Sequence, residues 1–110
     1  MTVEKISDIC KLNAVSEENK ELPVKGVYCC DLLSMVMGRA PAGCAWVTVM
    51  GNVNTVAVAS LAEISMVVFA DGVKPDDTTV LRARQNGINR YLSDKDVFTT
   101  ALEIHKALEQ

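Results

Sequence analysis

Apolar residues gather in short runs along this chain, and the runs are separated by stretches long enough for a helix. Ala45 to Met50 and Met66 to Ala70 are two such runs, both rich in β-branched residues. Continuous apolar runs of this length suit strands covered on both faces, as in a parallel sheet. Between them, Thr55 to Ile64 has the length of a helix of about three turns. A strand, a crossover helix and a parallel strand form a right-handed unit almost without exception. Cys44 to Gly72 is therefore read as the centre of an α/β domain.

The flanking segments extend the alternation. Thr2 to Cys10 reads as a first helix, capped by Thr2, with Val3, Ile6, Ile9 and Cys10 on one face. Leu12 to Val15 is a short strand candidate, and Ser16 to Glu21 is a charged, solvated loop. Pro23 disfavours helix at Leu22, and Val24 to Cys30 is the next strand, with Gly26 marking a bulge or a close backbone approach. Asp31 is placed to cap a helix over Leu32 to Met37, which Gly38 and Pro41 stop. Beyond the Asp71-Gly72 turn, Lys74-Pro75-Asp76-Asp77 leads into a helix from Asp77 to Gln85. Its acids come first and Arg82 and Arg84 later, as the helix dipole favours, and Asn86-Gly87 ends it. Ile88 to Leu92 is a further strand. Ser93 with Asp96 resembles a capping box ahead of a last helix from Asp94 to Leu108. That helix carries Val97, Ala101, Ile104 and Leu108 on one stripe and Phe98, Leu102 and His105 on a neighbouring one.

Two of these helices are too apolar for one sheet face to cover. Leu32, Leu33, Met35, Val36 and Met37 spread over more than half of their helix, and Val56, Ala57, Val58 and Ala59 point four ways round theirs. An exposed apolar patch marks an interface, and identical chains most often pair about a two-fold axis. A homodimer is expected, with Leu32, Met35, Val58 and Leu61 among its contacts.

Composition narrows what such a domain can do. At 110 residues the chain is one domain, 1–110, and with 49% hydrophobic but 5% aromatic residues its core is built from aliphatic side chains. A net charge of −3 argues against nucleic acid or an anionic membrane as the main partner. No signal pattern or membrane-length apolar stretch is present. Cys10, Cys29, Cys30 and Cys44 form no C-x-x-C pair and lie in apolar runs, so they read as reduced core thiols of a cytoplasmic protein.

Candidate chemistry lies where ligands collect in parallel sheets, at the carboxyl ends of the strands. Asp31, Gly51, Asn52, Asn54, Thr55, Asp71 and Gly72 fall on that rim. One reading is a small polar pocket. The other is that Asp31, Asn54 and Ser93 cap helices while Gly51 and Gly72 make turns. His105 has no acid at triad-like spacing and reads as a helix-end residue. Tyr28 reads as a strand-edge core aromatic, and Trp46 as core or interface. No nucleophile with a base, metal ligand set or phosphate-binding glycine loop is present, so neither catalysis, nor a metal, nor a cofactor is expected.

The run GVYCCDLLSMVMGRAPAGCAWVTVMGNVNTVAVASLAEISMVVFADG resembles the DRTGG domain family, with VEKISDIC before it and LSDKDVFTTALEIHKAL after it completing the likeness. The resemblance implies a three-layer α/β sandwich with a mostly parallel sheet, like the N-terminal domain of HPr kinase/phosphorylase. It also implies a non-catalytic regulatory or protein-interaction module acting as a homodimer. Its partner would be itself or a larger enzyme or kinase. The alternative is a sensor that binds a nucleotide or another anion at the strand ends. At the positions of the family's Asp-Arg and Thr-Gly-Gly, this chain has Asn52-Val53 and Ala70-Asp71-Gly72, so only Gly72 remains of that signature. The Arg that could pair with a phosphate is missing, and tight binding of adenine nucleotides is not expected.

Overall fold

The computed structural model describes residues 1–75 and 77–110, with the backbone alone at 77–80. The order of elements is α1 (Val3–Cys10), β1 (Asn13–Ser16), β2 (Gly26–Cys29), α2 (Leu33–Arg39), β3 (Cys44–Thr48), α3 (Val53–Leu61), β4 (Met66–Phe69), α4 (Asp77–Gln85), β5 (Arg90–Leu92) and α5 (Val97–Leu108). Asp76 and the side chain of Asp77, expected to favour the start of α4, lie outside the described residues. The strands form one sheet in the order β1-β5-β4-β3-β2. β2, β3, β4 and β5 run parallel, and β1 pairs antiparallel with β5 at one edge. Ala45 pairs with Met66 and Trp46 with Val67, so the two runs that anchor the sequence reading are neighbouring parallel strands.

Alternation along those strands builds two cores. Ala45, Val47, Met66 and Val68 pack with Val3, Ile6, Ile104 and Ala107 of α1 and α5. Cys44, Trp46, Val67 and Phe69 pack with Val36, Val56, Ala59 and Ala83 of α2, α3 and α4. The result is a three-layer sandwich, as expected. The uniform apolarity of α3 has its reason here: α3 is the middle helix of its layer, flanked by α2 and α4. Val58 is 8% exposed and belongs to this core, so it is not available to a partner. α2 is the edge helix, over the edge strand β2. It buries Val36 and leaves Leu32 (57%) and Met37 (47%) exposed.

Several local expectations are corrected. Ile9 is exposed, because the buried face of α1 runs through Val3, Ile6 and Ser7. Gly26 pairs regularly with Cys44, and the sheet's irregularity lies in β1 between Ala14 and Ser16. Cys29 is exposed rather than core, although all four thiols are free as expected. The loop after β1 is not simply solvated: Glu17 accepts a hydrogen bond from the Tyr91 hydroxyl at 2.8 Å. The Asn89 side chain accepts from Asn19 N–H at 2.8 Å and donates to the carbonyls of Asn19 and Ser65 at 2.8 and 2.9 Å.

The start of α5 also differs. Asp96 is the N-cap, accepting from Thr99 N–H at 2.7 Å, while the Ser93 hydroxyl shares a hydrogen bond of 2.8 Å with Thr100. The Thr99 hydrogen bonds hold the Asp96 carboxyl below its ordinary value. A carboxyl depressed in the folded state contributes stability above its unfolded pKa and loses it as pH falls through the folded value. Thermal unfolding followed below about pH 4 should therefore show a cap contribution disappearing with acid. Asp96→Asn, which keeps the acceptor without the charge, should remove that part of the pH dependence.

Candidate functional site

The parallel strands deliver Asp31, Gly51 to Thr55, and Asp71-Gly72 to one rim, because β2, β3 and β4 end side by side. Most of the polar groups gathered there are already used by the fold. Asp31 does not cap α2, whose N-cap is Leu32 with no side-chain hydrogen bond. Its carboxylate instead accepts from the Thr48 hydroxyl at 2.7 Å and from Val49 N–H at 3.0 Å, clamping the end of β3 to the loop after β2. Thr48 Oγ1 in turn accepts from Met50 N–H at 3.1 Å.

The turn into α3 is similarly committed. Asn52, not Asn54, is the N-cap, and its Oδ1 accepts from Asn54 N–H at 3.0 Å. Thr55 is fully buried and donates to the Met50 carbonyl at 2.8 Å. Asn54 is exposed. Gly51 is needed for a close approach, since a Cβ there would stand 3.3 Å from the Lys74 carbonyl oxygen and 3.5 Å from Pro75 Cα. The 73–75 segment thus lies against the turn that starts α3. Asp71 and Gly72 both take left-handed φ, 57° and 72°, and their N–H groups donate to the Lys95 and Ser93 carbonyls at 2.8 and 3.0 Å. The Asp71 side chain is exposed. Asn52→Ala should cost about 1 kcal/mol of stability by removing the cap. Asn54→Ala should stay within about 0.5 kcal/mol. Urea unfolding of the two variants checks the pair.

Elsewhere, the structure separates the expected interface residues. Leu32 and Met35 lie on α2, whereas Leu61 (70% exposed) lines a cleft of about 260 Å³ between α3 and α4 with Ala57, Ser60 and Arg82. Trp46 is fully buried and donates its Nε1–H to the Cys30 carbonyl at 2.8 Å, which assigns it to the core. His105, in the last turn of α5, pairs at 2.8 Å with Glu109, which caps the end of that helix, and both are exposed. Burial pushes the Cys44 thiol up to about 11, and burial with the charge of Glu103 raises that of Cys10.

Sequence reasoning missed Arg90. It is fully buried in β5, with its guanidinium carbon 4.6 Å from the centroid of the Phe69 ring, a cation–π arrangement. Reading Ile88 to Leu92 only as a further strand passed over it; the signal available was a cation at a position of core parity.

No family model matches the chain, and no curated protein matches it. Among solved structures it is similar to the CBS and DRTGG domains of the regulatory region of Clostridium perfringens pyrophosphatase, determined in complex with the activator diadenosine tetraphosphate. The TM-score is 0.76 at 19% sequence identity, over 96% of this chain and 46% of that one. The chain thus spans about half the length of that structure. At this identity the likeness is one of fold, and the fold is DRTGG-like.

Proposed function

We propose that this chain is a non-catalytic regulatory or protein-interaction module that works as a homodimer through α2. The observation that carries the reading is the edge helix itself. Leu32, Met35 and Met37 are exposed on a helix with no neighbour on its outer side among the described residues, while the equally apolar α3 lies between α2 and α4 and buries Val56, Val58 and Ala59. Methionine is a flexible, polarizable contact residue that suits a surface repacking against a partner. The similarity of fold to part of a pyrophosphatase's regulatory region supports a regulatory rather than catalytic role.

The alternative, a small-ligand sensor at the strand ends, draws support from the activator bound in that neighbour. Against it, Asp31, Asn52 and Thr55 already spend their polar groups on the fold. Sedimentation equilibrium from about 1 to 100 μM should find a dimer with a dissociation constant in that range, a binding free energy of about 6–8 kcal/mol. Leu32→Lys with Met35→Lys should yield a folded monomer. A monomer throughout for the unaltered chain would reject the reading. Diadenosine tetraphosphate binding below about 10 μM, abolished by Asn54→Ala, would promote the sensor in its place.

A further inference from the structure

The layer opposite α2 carries a second feature. A cavity of about 360 Å³ opens between the end of α1 and α5, lined by Cys10, Lys11, Lys95, Glu103, Lys106 and Ala107 among others. The geometry points to this cavity as a binding site for a small phosphate monoester, and this goes beyond the α2 interface.

Three lysines and one glutamate are among the residues that line it, in a chain whose formal net charge is −3. The lysines come from three separate places in the fold. Lys11 ends α1 in the left-handed region, φ 54°, with its N–H donating to the Asp8 carbonyl at 3.3 Å. Lys95 stands between β5 and α5. Its N–H donates to Ser93 Oγ at 3.2 Å and its carbonyl accepts from Asp71 N–H at 2.8 Å. Lys106 lies in the last turn of α5. The opposing carboxylate, Glu103, pairs with Lys95, and both groups are partly exposed. An exposed pair of that kind is weak, so an arriving dianion can take Lys95 from it. Cys10, raised by burial, stays neutral at pH 7 and adds no repulsion. Ile9 of α1, 42% exposed, gives the cavity an apolar side, which fits a phosphate carried on a small organic group rather than the bare ion.

Phenyl phosphate is the probe. Titrated into the full chain at about 50 mM salt, it should shift the backbone amide NMR signals of residues 9–11, 95 and 103–110, with a dissociation constant near about 1 mM. Lys106→Gln and Lys95→Gln should each weaken binding about fivefold, as the loss of one charged contact does. Lys106→Arg should retain it, and Lys74→Gln, away from the cavity, should leave it unchanged. No shifts by about 10 mM would overturn the proposal. So would equal binding of phenol, undiminished binding by Lys106→Gln, or shifts centred on residues 51–55.

Discussion

Replacing Asn89 by leucine should destabilise the protein by about 3 kcal/mol, measured by urea unfolding. Asn89 is buried, and its amide serves Asn19 N–H, the Asn19 carbonyl and the Ser65 carbonyl, at 2.8, 2.8 and 2.9 Å. Leucine keeps its branched shape, with bulkier ends, but satisfies none of these groups, and each buried polar group left without a partner costs about 1 kcal/mol or more. Asn89→Asp should also fail. Its carboxylate keeps the acceptor for Asn19 N–H but turns a negative oxygen toward two carbonyls inside the protein. Because Asn89 ties the 17–21 loop to the starts of β4 and β5, amide exchange in that loop should speed up in both variants. Unchanged stability in Asn89→Leu would show that the loop finds other partners or water.

Trp46→Ala should be costlier, about 3–5 kcal/mol, a large share of the 5–15 kcal/mol that holds a typical domain together. Trp46 is fully buried in β3, between its parallel neighbours Tyr28 and Val67, and faces α2 and α3. Removing it empties the centre of that core and strips the Cys30 carbonyl of its indole donor. Trp46→Phe, which refills most of the space, should cost less. Phe98→Ala, at a residue 72% exposed, should stay within about 0.5 kcal/mol. Thermal and urea unfolding of the three variants give the order directly. Similar costs for Trp46→Ala and Phe98→Ala would contradict the placement of the core.

The fold was legible because its signals are local and strong. Ala45–Met50 and Met66–Ala70 are apolar on both faces, and such strands belong in a covered parallel sheet. Asp77 to Gln85 matches the helix residue for residue. The polar rim was legible as a place and not as a set of roles. Asp31, Asn52 and Asn54 are all good cap residues by type. Which of them caps is set by where the strand ends, two residues earlier at Thr48 than the apolar run ends. Asp31 then meets Thr48 and Val49 across strands, a contact no local pattern encodes. The surplus apolarity of α2 and α3 was visible, yet only topology tells the two apart. α3 lies between two helices and hides Val58, while α2 lies at the edge and presents Leu32, Met35 and Met37. Asn89 and Arg90 escaped notice because long-range partners fix their roles: Asn19 and Ser65 for one, Phe69 for the other.

The central claim, that two copies meet through α2, is tested most directly by isotope-filtered NMR on an equal mixture of labelled and unlabelled chains. The account predicts intermolecular NOEs at the methyl groups of Leu32, Met35 and Met37, with none at Val58. Intermolecular contacts confined to α1 and α5, or none at concentrations of about 0.5 mM, would contradict it.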